Sequence, residues 1–231
     1  MAQTVVLITG ASKGIGLATA RELARRGFHV VATARDNSRL ETLASRHPEN
    51  ISIFPCDLSD KTSVEALARF LSDNGWMVST LIHNAGALIR KTFFELDDND
   101  WQYMWEVNLM SAVRLLRLVL PLMPPKSHVV TIGSMGGIQG SVKFAGLSAY
   151  STSKGALSVF TECMAEELKE HHITVNCLCP GAVQTEMFTE AFPGFQAPVD
   201  PDQMAAFISD FALTAHGLMN GRVIPVALGN P

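Results

Sequence analysis

The chain of 231 residues is 47% hydrophobic and only 17% charged, with a formal net charge of -4 and a mean hydropathy of +0.18. This balance provides for a sizeable core and excludes a disordered chain, and no basic run suggests a nucleic-acid or anionic-membrane surface. Cys56, Cys163, Cys177 and Cys179 show neither a CxxC nor a zinc spacing, so all four read as buried small apolar residues and no metal is expected.

From "MAQ" the sequence runs straight into the apolar "TVVLIT" without the cationic start of a secretory signal, which makes a cytoplasmic location the default. Directly after this first strand comes "TGASKGIG", Thr9 to Gly16. Gly10, Gly14 and Gly16 permit a tight turn and a close backbone approach, so amides at a helix N-terminus can face a pyrophosphate. The helix continues through "LATARELARRG", where Gly27 suits a stop.

The second strand, "HVVATA", is followed by Arg35 and Asp36. A dinucleotide with a free ribose diol calls for an acid at the end of this strand, and a 2′-phosphate calls for a cation. Ala34 stands where the acid would be, Arg35 is the first side chain free to turn, and Lys13 adds a second positive charge, so the pattern favours NADP(H). Asp36 reads as the start of the turn into the helix "SRLETLASRH", in which Ser38 and Glu41 have the spacing of a capping box.

The third strand, "ISIFP", precedes "CDLS", where Asp57 either accepts from an adenine amino group or ends the strand. "VSTLIH" reads as the fourth strand. Further on, "LLRLVLPLM" carries Arg117 and Pro121 and falls short of the roughly 20 apolar residues of a membrane span. The fifth strand, "HVVTIG", brings Ser134 to its C-terminal end, the side where ligands bind in open α/β sheets. In "SAYSTSKGALSVFTECMAEELKE" helical periodicity stacks Tyr150 and Lys154, four apart, on one face. An ammonium there would favour the phenolate and lower the tyrosine's ordinary pKa of about 10, fitting it for proton transfer. "ITVNCLC" and "RVIPVAL" read as the last strands, and the proline-broken stretch 185–202 between them as a lid.

Apolar strands alternating with amphipathic helices define a doubly wound α/β fold, with no linker or boundary to divide the single domain 1–231. With "TGASKGIG", "HNAG" at 83–86, Asn108 in "EVNL", Ser134 in "IGSMGG", "YSTSK" at 150–154 and "PGAVQT" at 180–185, the chain resembles the short-chain dehydrogenase/reductase family from Thr4 to about Gly229. The resemblance implies a Rossmann-like seven-stranded parallel sheet of order 3-2-1-4-5-6-7 with helices on both faces. It implies carbonyl reduction by hydride from a nicotinamide and a proton from Tyr150, with Ser134 holding the substrate oxygen. Lys154 would bind the nicotinamide ribose, and Asn108, in the long helix before, would order a water reaching Lys154.

Cofactor contacts would come from Gly10, Ser12, Lys13, Gly14, Ile15, Gly16, Arg35, Asp57, Leu58, Asn84, Ala85 and Gly86, then from Tyr150, Lys154, Pro180, Gly181, Val183 and Thr185. His83 stands where the family usually has Asn and reads as structural. Self-association as a dimer or tetramer is also implied, through the helices of Asn108 and Tyr150.

The sixteen residues from Ser134 to Tyr150 exceed the family's usual spacing, and Gly136, Gly137, Gly140 and Gly146 imply an irregular backbone there. Met135, Ile138, Phe144, Leu147, Met187, Phe188 and Phe192 either line an apolar substrate pocket or belong to the core. The leading expectation is an NADPH-dependent reductase of small or medium ketones or aldehydes. Its rivals are a dinucleotide-binding sensor with little catalysis, against which Asn108, Ser134, Tyr150 and Lys154 argue, and an epimerase or dehydratase, for which little chain remains after Asp200.

Overall fold

The computed structural model describes residues 3–228; the expected end of the family likeness at about Gly229 lies outside them. Seven strands, β1 Gln3–Thr9, β2 Val30–Ala34, β3 Ile51–Pro55, β4 Trp76–His83, β5 His128–Ile132, β6 Thr174–Pro180 and β7 Val223–Val226, form one sheet in the order β3-β2-β1-β4-β5-β6-β7. Every pairing is parallel. The order reverses between β1 and β4, so a crevice opens at their C-terminal ends, where Thr9 and His83 stand.

Along β1 the side chains alternate between the two faces. Val6 and Ile8 join one core cluster, with Leu23 of helix α1 (Gly14–Arg25), Leu40 of α2 (Asn37–Arg46) and Ile208 of α8 (Pro201–Thr214). Val5 and Leu7 join the other, with Leu67 of α3 (Lys61–Asp73), Leu115 of α5 (Ser111–Val119) and Ala165 of α6 (Ser148–Glu167). Both faces are covered, which is why the strands read as apolar throughout instead of alternating.

Several local expectations are corrected. Helix α2 begins two residues early, and Asp36, not Ser38, is its N-cap: the Asp36 side chain accepts from the Arg39 N–H. The Ser38 hydroxyl donates to Asp36, and Glu41 accepts from Asn37 instead of closing a capping box. Cys163 is exposed on α6, whereas the other three cysteines are buried. The long helix carrying Asn108 is present as expected, with one irregularity. It consists of α4 (Asp98–Trp105), a π-helical turn at Glu106–Met110, and α5.

Gly27 follows α1 with φ of +86°. Stretch 185–202 forms a short helix, α7 (Glu186–Ala191), and then a loop that returns beside Val183 through a bridge to Val199. No helix among the described residues is long and apolar enough to cross a membrane.

Candidate active site

A cavity of about 920 Å³ lies over the C-terminal ends of the strands, walled by stretches of chain far apart in sequence. The first is the glycine loop. Gly10 (φ +66°) and Gly14 (φ +56°) adopt conformations that L side chains rarely enter, and a Cβ on Gly10 would stand 2.9 Å from the Ala85 Cα. No side chain caps α1, so its first amides are left free toward the cavity, as a pyrophosphate requires. Gly16 does not line the cavity. A Cβ there would meet the Asn84 amide at 2.3 Å, so this glycine closes the loop onto β4.

Asn84 holds that junction by donating to the Thr9 and Gly10 carbonyls at 3.0 and 3.2 Å, while the Ala85 N–H reaches the Thr9 hydroxyl at 3.0 Å. His83, just beneath, is 1% exposed and lies between the Thr9 and Ser111 hydroxyls. Burial, aided by the Lys154 charge, drives its pKa down to about 3, which keeps the ring neutral and structural.

One end of the cavity is lined by Ser12, Lys13, Arg35, Asp36, Arg39, Asp57 and Leu58. Asp57 accepts from the Ser59 hydroxyl at 2.6 Å and the Ser59 N–H at 2.9 Å. These bonds, with a smaller contribution from the nearby Arg35 charge, hold its carboxyl below the ordinary range. Asp57 therefore both ends its strand and faces the cavity. Lys13 lies 3.8 Å from Glu186 of α7. Arg39 also reaches Glu186, and sequence reading missed it because its place depends on where α2 begins.

Three reactive side chains meet near the middle. Ser134 accepts from the Gly136 N–H at 3.2 Å, which fixes its oxygen and leaves its own proton free to point into the cavity. Tyr150, half-buried, shares the cavity with Ser134 and Lys154. Its apolar surroundings push the phenol pKa up, and the Ser134 hydroxyl partly offsets this.

The expected lowering by Lys154 is not observed. The ammonium donates to the Ile132 carbonyl at 2.8 Å, and burial pulls its own pKa down to about 8. Asn108 is wholly buried behind these groups and does not line the cavity. It accepts from the Ala87 N–H at 2.8 Å, and donates to the Ala87 carbonyl at 3.0 Å and the Ser153 hydroxyl at 2.9 Å. The π-helical turn aims it there.

The segment between Ser134 and Tyr150 opens with a 3-10 turn at Met135–Gly137. Gly137 packs directly on α6, where a Cβ would come within 2.7 Å of the Gly155 N, and this contact ties Ser134 to the helix of Tyr150. Of the seven candidate pocket residues, Met135, Phe144, Leu147, Met187, Phe188 and Phe192 line the cavity and Ile138 does not. Leu88, Arg90 and Phe195 also line it; their approach is a tertiary matter that no motif announces. Pro180, Gly181, Val183 and Thr185 border the far side, with Thr185 capping α7 through the Phe188 N–H at 3.1 Å.

The glycine cradle, the free helix amides and the Ser-Tyr-Lys group together define a dinucleotide-dependent oxidoreductase site. Residues 4–194 match the family model for short chain dehydrogenase, and the chain belongs to that family, whose members act on CH–OH and C=O groups. It is 35% identical over 190 residues to a fatty acyl-CoA reductase of Acinetobacter baylyi, a match covering 79% of this chain and 63% of that protein. It is 32% identical over 185 residues to the 3-oxoacyl-[acyl-carrier-protein] reductase FabG of Escherichia coli, covering 79% and 75%. Among solved structures it is similar to the Pseudomonas aeruginosa RhlG/NADP active-site complex, with a TM-score of 0.88 and 28% identity, covering 99% of this chain and 96% of that one.

Proposed function

We propose that this chain is an NADPH-dependent reductase of ketones or aldehydes with a largely apolar body, reversible as an alcohol dehydrogenase. The observation that carries the reading is the single cavity that joins the glycine cradle, through Ser134, Tyr150 and Lys154, to a wall of Met135, Phe144, Leu147 and Phe192. The relatives support it, two of them reductases and one solved structure an NADP complex.

In this reading Gly10, Ser12, Gly14, Ile15 and the α1 amides hold the pyrophosphate, and Asn84, Ala85 and Gly86 form the floor beneath it. Asp57 and Leu58 face the adenine, Arg35 and Lys13 face the 2′-phosphate, and Pro180, Gly181, Val183 and Thr185 border the nicotinamide. The bound nicotinamide supplies the hydride. Ser134 donates a hydrogen bond to the substrate carbonyl oxygen and holds it beside Tyr150, which donates the proton to that oxygen. Lys154 binds the nicotinamide ribose and carries the positive charge behind the phenol. Asn108 positions the Ala87 backbone and, through Ser153, α6 itself.

Residues 185–202 act as a lid over the substrate end, and the whole chain works as one domain. Copies associate as a dimer or tetramer through the faces of α4 and α6, where Trp105 and Val159 stand exposed.

The test follows NADPH absorbance against ketones, aldehydes and diketones. Tyr150→Phe should lower turnover by about 10²- to 10⁴-fold with NADPH affinity kept, and Arg35→Asp should weaken NADPH far more than NADH. Tight NADPH binding with no turnover of any carbonyl would favour a dinucleotide sensor instead.

A further inference from the structure

At the adenosine end of the cavity four charged side chains converge, and Arg39 is shared between two of them: its Nε stands 3.4 Å from the Asp36 Oδ2. Arg39 of α2 donates through Nη1 to both carboxylate oxygens of Glu186, at 2.9 Å each. The Lys13 Nζ of the glycine loop stands 3.8 Å from the Glu186 Oε2. All four residues line the cavity, and each is close to half exposed. A carboxylate held between an arginine and a lysine shows where these two cations can jointly hold an anion.

We infer that Glu186 is an internal competitor for the cofactor's 2′-phosphate: it occupies Arg39 and Lys13 in the free protein, yields them when NADPH binds, and so tunes cofactor affinity and choice. This rests on the NADPH reading above. A phosphate monoester carries a charge of about -1.5 to -2 and three strong acceptor oxygens, so it outbids one carboxylate for the same cations. The partly exposed latch is worth only a small factor in affinity, so it tempers binding without preventing it. With the phosphate seated, the Glu186 side chain faces a like charge and swings out of the contact, while Thr185 still caps α7 through the Phe188 N–H.

The other end of α7 is held independently. Arg90 Nη1 donates to the Ala191 carbonyl at 2.7 Å, and the guanidinium lies 4.8 Å from the centre of the Phe192 ring. With both ends of the helix held, the change is confined to the Glu186 side chain. NADH lacks the phosphate and leaves the latch closed.

The experiment titrates NADPH and NADH against wild type, Glu186→Gln, Arg39→Gln and the double variant, reading nucleotide fluorescence. Glu186→Gln should tighten NADPH by about two- to fivefold and leave NADH unchanged, and the gain should shrink in the Arg39→Gln background. Equal tightening of both nucleotides would overturn the inference, since it would report a general opening. Weaker NADPH binding by Glu186→Gln would also overturn it, since the latch would then be a clamp over the cofactor. A wild type without preference for NADPH would instead sink the cofactor reading itself, and the inference with it.

Discussion

Lys154 is only 4% exposed, and its one hydrogen-bond partner in the free protein is the Ile132 carbonyl. An ammonium buried this way is a cost that the fold carries for the sake of the site. Its folded pKa of about 8 lies below the ordinary 10.5, so below pH 8 the unfolded chain holds the proton on better terms, and the penalty fades only as pH rises from about 8 toward 10.5. Lys154→Met should therefore stabilise the cofactor-free protein at pH 7 by on the order of 2 kcal/mol, with the gain lost near pH 10.5 and turnover abolished. Thermal melts at the two pH values check it, and a loss of stability at pH 7 would show that the Ile132 bond outweighs desolvation. The Tyr150–Lys154 spacing was legible in the sequence and puts both side chains on the cavity. The direction of the ammonium was not, because the Ile132 carbonyl that attracts it is twenty-two residues away.

At the scale of elements, the α2 terminus decides more than one helix. Asp36 as N-cap starts the helix at Asn37, and that start fixes where Arg39 points. Asp36→Ala should lower the urea midpoint clearly more than Ser38→Ala does; urea unfolding of both variants tests this assignment, and the reverse ranking would restore Ser38 as the cap. In the sequence Glu41, three residues on, favours Ser38. Either serine or aspartate can cap, and the choice was made by the extent of β2, which ends at Ala34 in register with Pro55 of β3. The π-helical turn between α4 and α5 was equally hidden, since no proline or glycine marks it. The Asn108 bonds to the Ala87 backbone, across twenty-one residues, accompany it.

For the molecule as a whole, two histidines are sealed in the core. His83 is held to about 3 and His128 to about 4, both chiefly by burial. His128 lies between the Ala212 carbonyl and the Asn176 amide. A histidine with a depressed folded pKa leaves stability intact above its ordinary 6.5 and loses it as pH falls below, because only the unfolded chain takes up the proton. Each should cost on the order of 2 kcal/mol by pH 5, so the protein should melt well below its neutral Tm there. His83→Asn should flatten that acid limb, and an unchanged limb would place the lability elsewhere.

The sequence by itself determined the class of fold, the strand positions, the glycine cradle and the identities of Ser134, Tyr150 and Lys154. These rest on local signals, such as apolar runs, turn residues and i,i+4 spacing, that the chain expresses without long-range help. Tertiary structure decided which side chains share the cavity. Arg39, Arg90 and Phe195 enter it and Ile138 stays out, Cys163 faces outward, and Glu186 meets Lys13 and Arg39. The reason is geometric: a parallel sheet with right-handed crossovers brings segments more than a hundred residues apart to one edge, and the packing of α2 and α7 there has no period to read.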